Sequence, residues 1–418
     1  MDNLPKVTRE QNIIFIPTLT NTFVLREVRT ALHEAVNKKG YQSLILDFEN
    51  CDRTYPNVCC PLAGILDYYR DEKSIDFEFR NMPSYLEKVH LKNPKVIGES
   101  NIVFRSPMDT VWKFASSQEV YAIMTEFVSE VGKTVVCGEG VLAGLEWCLN
   151  ETMDNVIQHA SDEMQGMQHG YVMAQIHKES KRMAFCVYDY GQGICNSLKS
   201  HANPPRNSID AITMAVKEGV TRDKKIGQGN GLWGLQNIIY KNSGLLTITS
   251  GNGQISFNGN DFTKKEENVF LDRQHQTTII DFQLDYSKQI SIAEALNGFT
   301  PTNLRIEQFE TDQGTLLYKL KDQATGTGTR QSGERIRNEI LNLLQESSQA
   351  VVIDFAGITV VSSSFADELI GKLVAELGFI AFTQQIRMNG MNEIIAPIIN
   401  RSVAQRMASQ FEQGDMAS

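Results

Sequence analysis

Leu149-Asn-Glu151-Thr-Met-Asp-Asn155-Val-Ile-Gln-His159-Ala160 sets a carboxylate, an amide and an imidazole four residues apart. On a helix that spacing forms a narrow polar stripe, while Leu145, Leu149, Val156 and Ala160 turn towards a core. Such a stripe suits a magnesium-bound polyphosphate. Further on, the apolar run Met183 to Tyr188 reads as a strand, and Asp189-Tyr-Gly191-Gln-Gly193 ends it with an acid and two glycines in a tight turn. An Asp at a strand end can accept a hydrogen bond from an exocyclic amine. Last comes Gly227-Gln-Gly229-Asn-Gly231-Leu232, which runs directly into Leu235, Ile238 and Ile239, a helical apolar period. The glycines therefore sit at a helix N-terminus, where free N–H groups and the helix dipole favour phosphate. In this order the three motifs read as a nucleotide site.

Singly, each motif has a plainer reading. A glycine triplet serves many turns for conformational reasons alone; the polar stripe suits a solvated helix face, and Asp189 a turn or cap. Order and separation favour the shared site. Between the second and third motifs, residues 195–226 contain His201, Pro204, Pro205 and the cations Arg222, Lys224 and Lys225. These three read either as a solvated charge run or as groups that neutralise a terminal phosphate.

The ordered set resembles the GHKL ATPase superfamily, which includes gyrase B-type topoisomerases, heat-shock chaperones, histidine kinases, MutL proteins and anti-sigma-factor serine kinases. Residues 149–160 resemble its N box, 187–194 its G1 box and 227–235 its G2 box, with the likeness spanning roughly 105–285. The resemblance implies a GHKL (Bergerat) α/β sandwich with a mixed, mostly antiparallel sheet backed by helices on one face, and it implies ATP and Mg2+ as cofactors. It makes Glu151 the general base and Asn155 the magnesium ligand. Asp189 becomes the adenine reader, supported by Thr278, and Gly191 and Gly193 the turn that lets backbone approach the nucleotide. Gly227, Gly229, Gly231 and Leu232 become the phosphate-cradling loop of a lid. Trp233 stands where histidine kinases have a small residue, and no phosphorylatable-histidine motif lies upstream. Glu151 with His159 places the N box closest to the anti-sigma serine kinase type, in the branch that activates water or a hydroxyl.

Two flanking segments look like copies of one unit. Ser43-Leu-Ile-Leu-Asp47-Phe48 follows an amphipathic helix, 24–38, and precedes an apolar helix, 61–69; Ala350-Val-Val-Ile-Asp354-Phe355 follows a helix, 333–346, and precedes another, 366–377. Strand, Asp, loop and helix in this order resemble the STAS fold, the module of anti-sigma-factor antagonists, and the C-terminal copy resembles bacterial STAS-like domains. Laid on the antagonist pattern, Ser364 falls at the phosphorylatable serine, although Ser362 and Phe365 depart from its neighbours. Ser364 is a candidate phosphoacceptor or, on the plainer reading, the cap of a helix starting at Phe365.

With 418 residues the chain exceeds one core. The expected organisation is a STAS-like domain at 1–86, a linker at 87–109, the ATP-binding domain at 110–285, a connector at 286–312, a second STAS-like domain at 313–400 and a tail at 401–418. A connecting helix is expected at 287–296, a loop at 326–333, and a disordered or frayed tail beyond Arg406. The apolar fraction of 41% suits a soluble protein, and a net charge of −10 announces no nucleic-acid surface. No apolar run is long enough to span a membrane, and no leader follows Met1, so a cytoplasmic location is expected. Seven cysteines without a CxxC pair read as reduced and mostly buried. The expected function is a bacterial signalling switch, ATP-binding and ATP-hydrolysing, that couples nucleotide state to a protein partner or to self-association. The alternatives are a serine/threonine kinase acting on a STAS-like domain, and a non-hydrolysing assembly module.

Overall fold

A computed structural model describes residues 6–98, 106–159, 169–219, 231–259, 261–266 and 277–415. It is an α/β protein in two compact units. The first comprises 1–127, 145–285 and 293–298; the second comprises 128–144, 286–292 and 299–418.

The first unit opens with strands β1 (Thr8–Glu10), β2 (Ile13–Phe15), β3 (Ser43–Asp47) and β4 (Asp76–Arg80) in sequential order. β1 and β2 are antiparallel, while β2, β3 and β4 are parallel. Helix α1 (Phe23–His33) runs on through a π turn, Glu34–Lys38, before β3. Helix α2 (Pro56–Lys73) starts earlier than its apolar run suggests, because Pro56 suits the first helical position, where the missing N–H is no loss.

An eight-stranded sheet follows. Its strands are β5 (Lys95–Val96), β6 (Trp112–Phe114), β7 (Gly170–His177), β8 (Arg182–Asp189), β9 (Leu245–Ser250), β10 (Gly253–Asn258), β11 (Asp261–Glu266) and β12 (Thr278–Asp285). The order is β11-β10-β9-β12-β8-β7-β6-β5, antiparallel throughout except between β5 and β6. Helices α3 (Ser117–Thr134), α4 (Val141–His159) and α5 (Gly231–Lys241) accompany it.

Cover on one face alone was the expectation, and the sheet departs from it. Tyr171, Met173, Cys186, Tyr188 and Ile279 share a core with α2 and the first sheet, whereas Phe185, on the alternate face, meets Phe127 of α3 edge-on at 5.9 Å. Successive residues of a strand point to opposite faces, so 183–188, buried throughout, require cover on both sides. Gly64 makes the α2 approach possible, since a β-carbon there would lie 2.4 Å from the Tyr188 ring. Buried Asp67 of α2 is paired in turn: Arg70 (2.6 Å), Lys113 (3.1 Å) and the Tyr171 hydroxyl (3.1 Å) all donate to it.

In the second unit, β13 (Leu316–Lys319), β14 (Val351–Asp354) and β15 (Ile386–Asn389) form a parallel sheet in that order. Helix α6 (Arg330–Glu346) joins the first two strands, and α7 (Ile395–Asp415) follows the third. Ile336, Ile340, Leu343, Val351, Ile353, Phe365, Leu369, Leu373, Ile395 and Ile399 share its core. Two local expectations are corrected and a third is decided. Residues 287–296 hold only the turn Ile292–Ala295 as helix. The 326–333 loop ends early, because the Thr329 side chain accepts the Ser332 N–H at 3.1 Å and starts α6 at Arg330. Beyond Arg406, of the two expectations, disorder or a helix, the helix is found, as α7 to Asp415.

The flanks repeat one another in hydrogen bonding as well as in order. Asp47 Oδ1 accepts the Glu49 N–H and Asp354 Oδ1 the Ala356 N–H, both at 3.0 Å. Phe48 N–H donates to Arg80 O at 3.0 Å, and Phe355 N–H to Asn389 O at 2.9 Å. Among the described residues no helix is long and apolar enough to cross a membrane. All seven cysteines are free thiols, buried except for the half-buried Cys195.

Candidate functional site

Leu145, Cys148, Leu149, Thr152, Met153 and Val156 form the buried side of α4. Thr152 survives there because its hydroxyl donates to Cys148 O at 2.7 Å. Glu151 and Asn155, one turn apart, occupy a partly exposed flank. Against that flank α5 begins: a β-carbon placed on Gly231 would lie 2.6 Å from Glu151 Oε2 and 3.4 Å from Asn155 Nδ2. The missing side chain is what lets the two helices meet at these groups. Burial raises the Glu151 pKa, and nearby Asp154 adds to the effect.

A second group lies at the end of β8. Gly170, Asp189, Thr278 and Ser250 stand in register across β7, β8, β12 and β9. Asp189 Oδ1 accepts the Gly191 N–H at 2.9 Å, which closes the turn, and Gly193 takes φ +70°, the left-handed conformation that glycine adopts freely. Thr278 bonds the Asp189 carboxylate through both its hydroxyl and its N–H. Ser250 completes the row, its Oγ 3.4 Å from Thr278 Oγ1 and accepting the Ile194 N–H at 2.9 Å. Sequence reasoning passed over Ser250; its only signal was a strand-end hydroxyl before Gly251.

Asp189 is 8% exposed, and burial pushes its pKa up to about 7 against the lowering effect of the bonds from Gly191 and Thr278. The folded protein thus holds this proton more tightly than the unfolded chain, where the value is 3.8. The consequence for stability has a definite sign. The Asp189 contribution is highest at low pH, is lost as pH rises through about 4 to about 7, and is flat above. Asp281, likewise pushed up to about 7 by burial against a bond from Asn57, acts in the same sense. Denaturant midpoints against pH should therefore show Asp189→Asn gaining on the wild type over that interval, by up to about 4 kcal/mol. Parallel curves would contradict the assignment of the shift to Asp189.

The described residues thus bring together Glu151, Asn155 and Gly231 in one group, and Asp189, Gly191, Gly193 and Thr278 in another. Leu232 lies half-buried in the first turn of α5. Gly227, Gly229, the cations Arg222, Lys224 and Lys225, and the His159 side chain lie outside the described residues.

Residues 332–396 match the family model of a STAS-like domain of unknown function (DUF4325). No curated protein matches the chain. The matched STAS-like domain runs from α6 through β14 and β15 to the start of α7, and it contains the serine run. There the cap is Ser362 and not Ser364: the helical turn Ser363–Ala366 begins one residue before Ser364, and Ser362 Oγ accepts the Phe365 N–H at 3.0 Å. Ser364 Oγ lies 3.0 Å from Ser362 Oγ, in the first turn. Ser362→Ala is accordingly expected to cost about 0.5–2 kcal/mol of stability, measured by denaturant unfolding. A smaller loss for Ser362→Ala than for Ser364→Ala would contradict this capping.

Proposed function

We propose that this chain is a Mg-ATP-binding, ATP-hydrolysing switch of GHKL type, whose nucleotide state is read by a protein partner or by a second copy through the flanking STAS-like modules. The observation that carries the reading is the convergence of Gly231 on Glu151 and Asn155. Residues 80 and 76 positions apart share one point where the sequence motifs ask for general base, magnesium ligand and phosphate loop. The buried Asp189, held by Gly191 and Thr278 at a strand end, supplies a fixed acceptor of the kind an adenine amine requires.

Each group has a part in the reaction. Asp189 accepts the adenine amine, with Thr278 orienting the carboxylate. Burial makes Glu151 a stronger base than a solvated glutamate. It takes the proton of the attacking water as the new P–O bond forms and the bond between the γ-phosphorus and the β–γ bridging oxygen breaks, leaving ADP and phosphate. The Asn155 side-chain oxygen, as the protein ligand, fits Mg2+, which keeps several waters and takes much of its coordination from substrate phosphates. Bound there, the ion would neutralise charge on the phosphates. Gly231 and Leu232 open α5, and the part of phosphate-cradling loop falls to them with Gly227 and Gly229, which precede them in the sequence.

Incubation with γ-labelled ATP tests the reading. Label released as free phosphate supports the hydrolysing switch. Label transferred to protein, on Ser364 or elsewhere on a STAS-like module, favours the serine/threonine kinase, and tight binding with neither product favours the assembly module.

A further inference from the structure

Helix α6 buries a polar stripe. Arg335, Asn338, Glu339, Asn342 and Glu346 recur at helical spacing along one side, with Asn338, Glu339 and Asn342 only 6%, 1% and 1% exposed. Buried amides and carboxylates persist where each finds a partner. The partners here lie largely within 130–143, the end of α3, the following turn and the first residues of α4, all part of the second unit. Asn342 spends its whole amide on the turn: Nδ2 donates to Gly132 O (2.8 Å) and Val135 O (2.9 Å), and Oδ1 accepts the Cys137 N–H (2.7 Å). Asn338 Nδ2 donates to Lys133 O at 3.3 Å, and Arg335 forks onto Glu130 at 3.0 and 2.7 Å. Side chains of α6 thus close carbonyls that the end of α3 leaves without intrahelical partners. One turn further, Glu346 faces the N–H groups of Gly140, Leu142 and Ala143 at the start of α4. Its Oε2 accepts from Asn303 at 3.2 Å, while Oε1 has no closed hydrogen bond. A carboxylate in this place is favoured by the helix dipole.

The N-terminal copy shows that the repeat itself does not require such a stripe. Matching the buried Val28, Leu32 and Ala35 to Ile336, Ile340 and Leu343 puts Glu27, Thr30 and Glu34 where Arg335, Asn338 and Asn342 stand. The π turn Glu34–Lys38 takes up the one-residue difference before Asp47 and Asp354 coincide. In the first copy those residues line an open groove of about 420 Å³ with Phe23 and Arg26.

We propose that the polar stripe makes the C-terminal STAS-like domain a positioning element for α4, with Asn342 the residue that fixes the turn from which the Glu151 and Asn155 helix departs. α4 is one helix that begins in the second unit and carries Glu151 and Asn155 in the first. Its functional consequence rests on the nucleotide reading above; the positioning itself does not. Coupling of this kind is reciprocal, so nucleotide held by α4 must be felt at the α3–α4 turn.

Amide hydrogen exchange on the full chain tests both halves. Without nucleotide, Asn342→Ala is expected to speed exchange at the turn and the first turns of α4 by about tenfold or more, the scale of one lost buried hydrogen bond, with β13–β15 as protected as in the wild type. Unchanged exchange at the start of α4 would overturn the proposal. Should Asn342→Ala lose protection in β13–β15 as well, Asn338→Ala, which removes one bond, takes its place with a smaller acceleration at the same amides; none would count against it equally. In the wild type, Mg-ATP is expected to slow exchange at 132–137, and Asn342→Ala to abolish that response, which a purely structural bond would not do. A wild type that binds Mg-ATP with no change at the turn would overturn the coupling. One that binds none would overturn the nucleotide reading and leave the nucleotide-free comparison standing.

Discussion

Asp189→Ala is expected to remove Mg-ATP binding while leaving the thermal unfolding profile of the wild type. The carboxylate is the acceptor that β8 presents at its end, and the surrounding groups, Gly191 N–H and the Thr278 hydroxyl and N–H, are donors already turned onto it. Without it a bound adenine amine has no acceptor at this buried strand end. Sites built to bond a polar group reject partners that cannot make the bond by large factors, so a loss of about 10²-fold or more in affinity is expected. The fold should stand because the substitution removes a buried carboxylate whose ionised form is itself costly there. The freed Gly191 and Thr278 donors set against this a penalty of about 1–3 kcal/mol. Titration calorimetry with thermal unfolding on the same samples separates the two effects. Wild-type affinity in the variant would sink the adenine role.

Loss of turnover without loss of nucleotide is the expected result for Glu151→Ala. A general base contributes about 10²–10⁴ in rate and little to ground-state affinity. Glu151 Oε2 lies where a Gly231 side chain would otherwise stand, so the alanine variant enlarges the site and leaves the start of α5 unobstructed. Phosphate release at saturating Mg-ATP gives kcat, and direct titration gives affinity. Hydrolysis at the wild-type rate would assign the base elsewhere or favour the binding-only module.

Much of this architecture was legible because its period is written in the residues. The unbroken apolar run Met183 to Tyr188 announced a strand, but neither its burial on both faces nor what covers the second. That cover, α2, comes from a segment more than a hundred residues earlier, and its enabling residue, Gly64, looks in sequence like a weakness in a helix. Asp47 and Asp354 were legible as a repeat because each follows a short continuous apolar strand and precedes a turn. The site divides in the same way. Glu151, Asn155 and Asp189 stood out by spacing, whereas Ser250 became visible only through strand register, which brings it level with Thr278. Ser364 reads in sequence as a cap or a phosphoacceptor because the apolar helix starts at Phe365; the chain turns two residues sooner, and Ser362 does the capping. The stripe on α6 was hidden for a related reason. Asn338 and Asn342 on a helix read as solvent-facing, and only the course of the chain after Gly132 shows the carbonyls and the N–H they bond.

Equilibrium titration of the full chain with ATP, with and without Mg2+, tests the central claim most directly. The account predicts saturable binding at one site per chain, weakened when Mg2+ is chelated and lost in Asp189→Ala. No detectable binding of Mg-ATP at millimolar concentration, by a chain whose unfolding transition is intact, would contradict it.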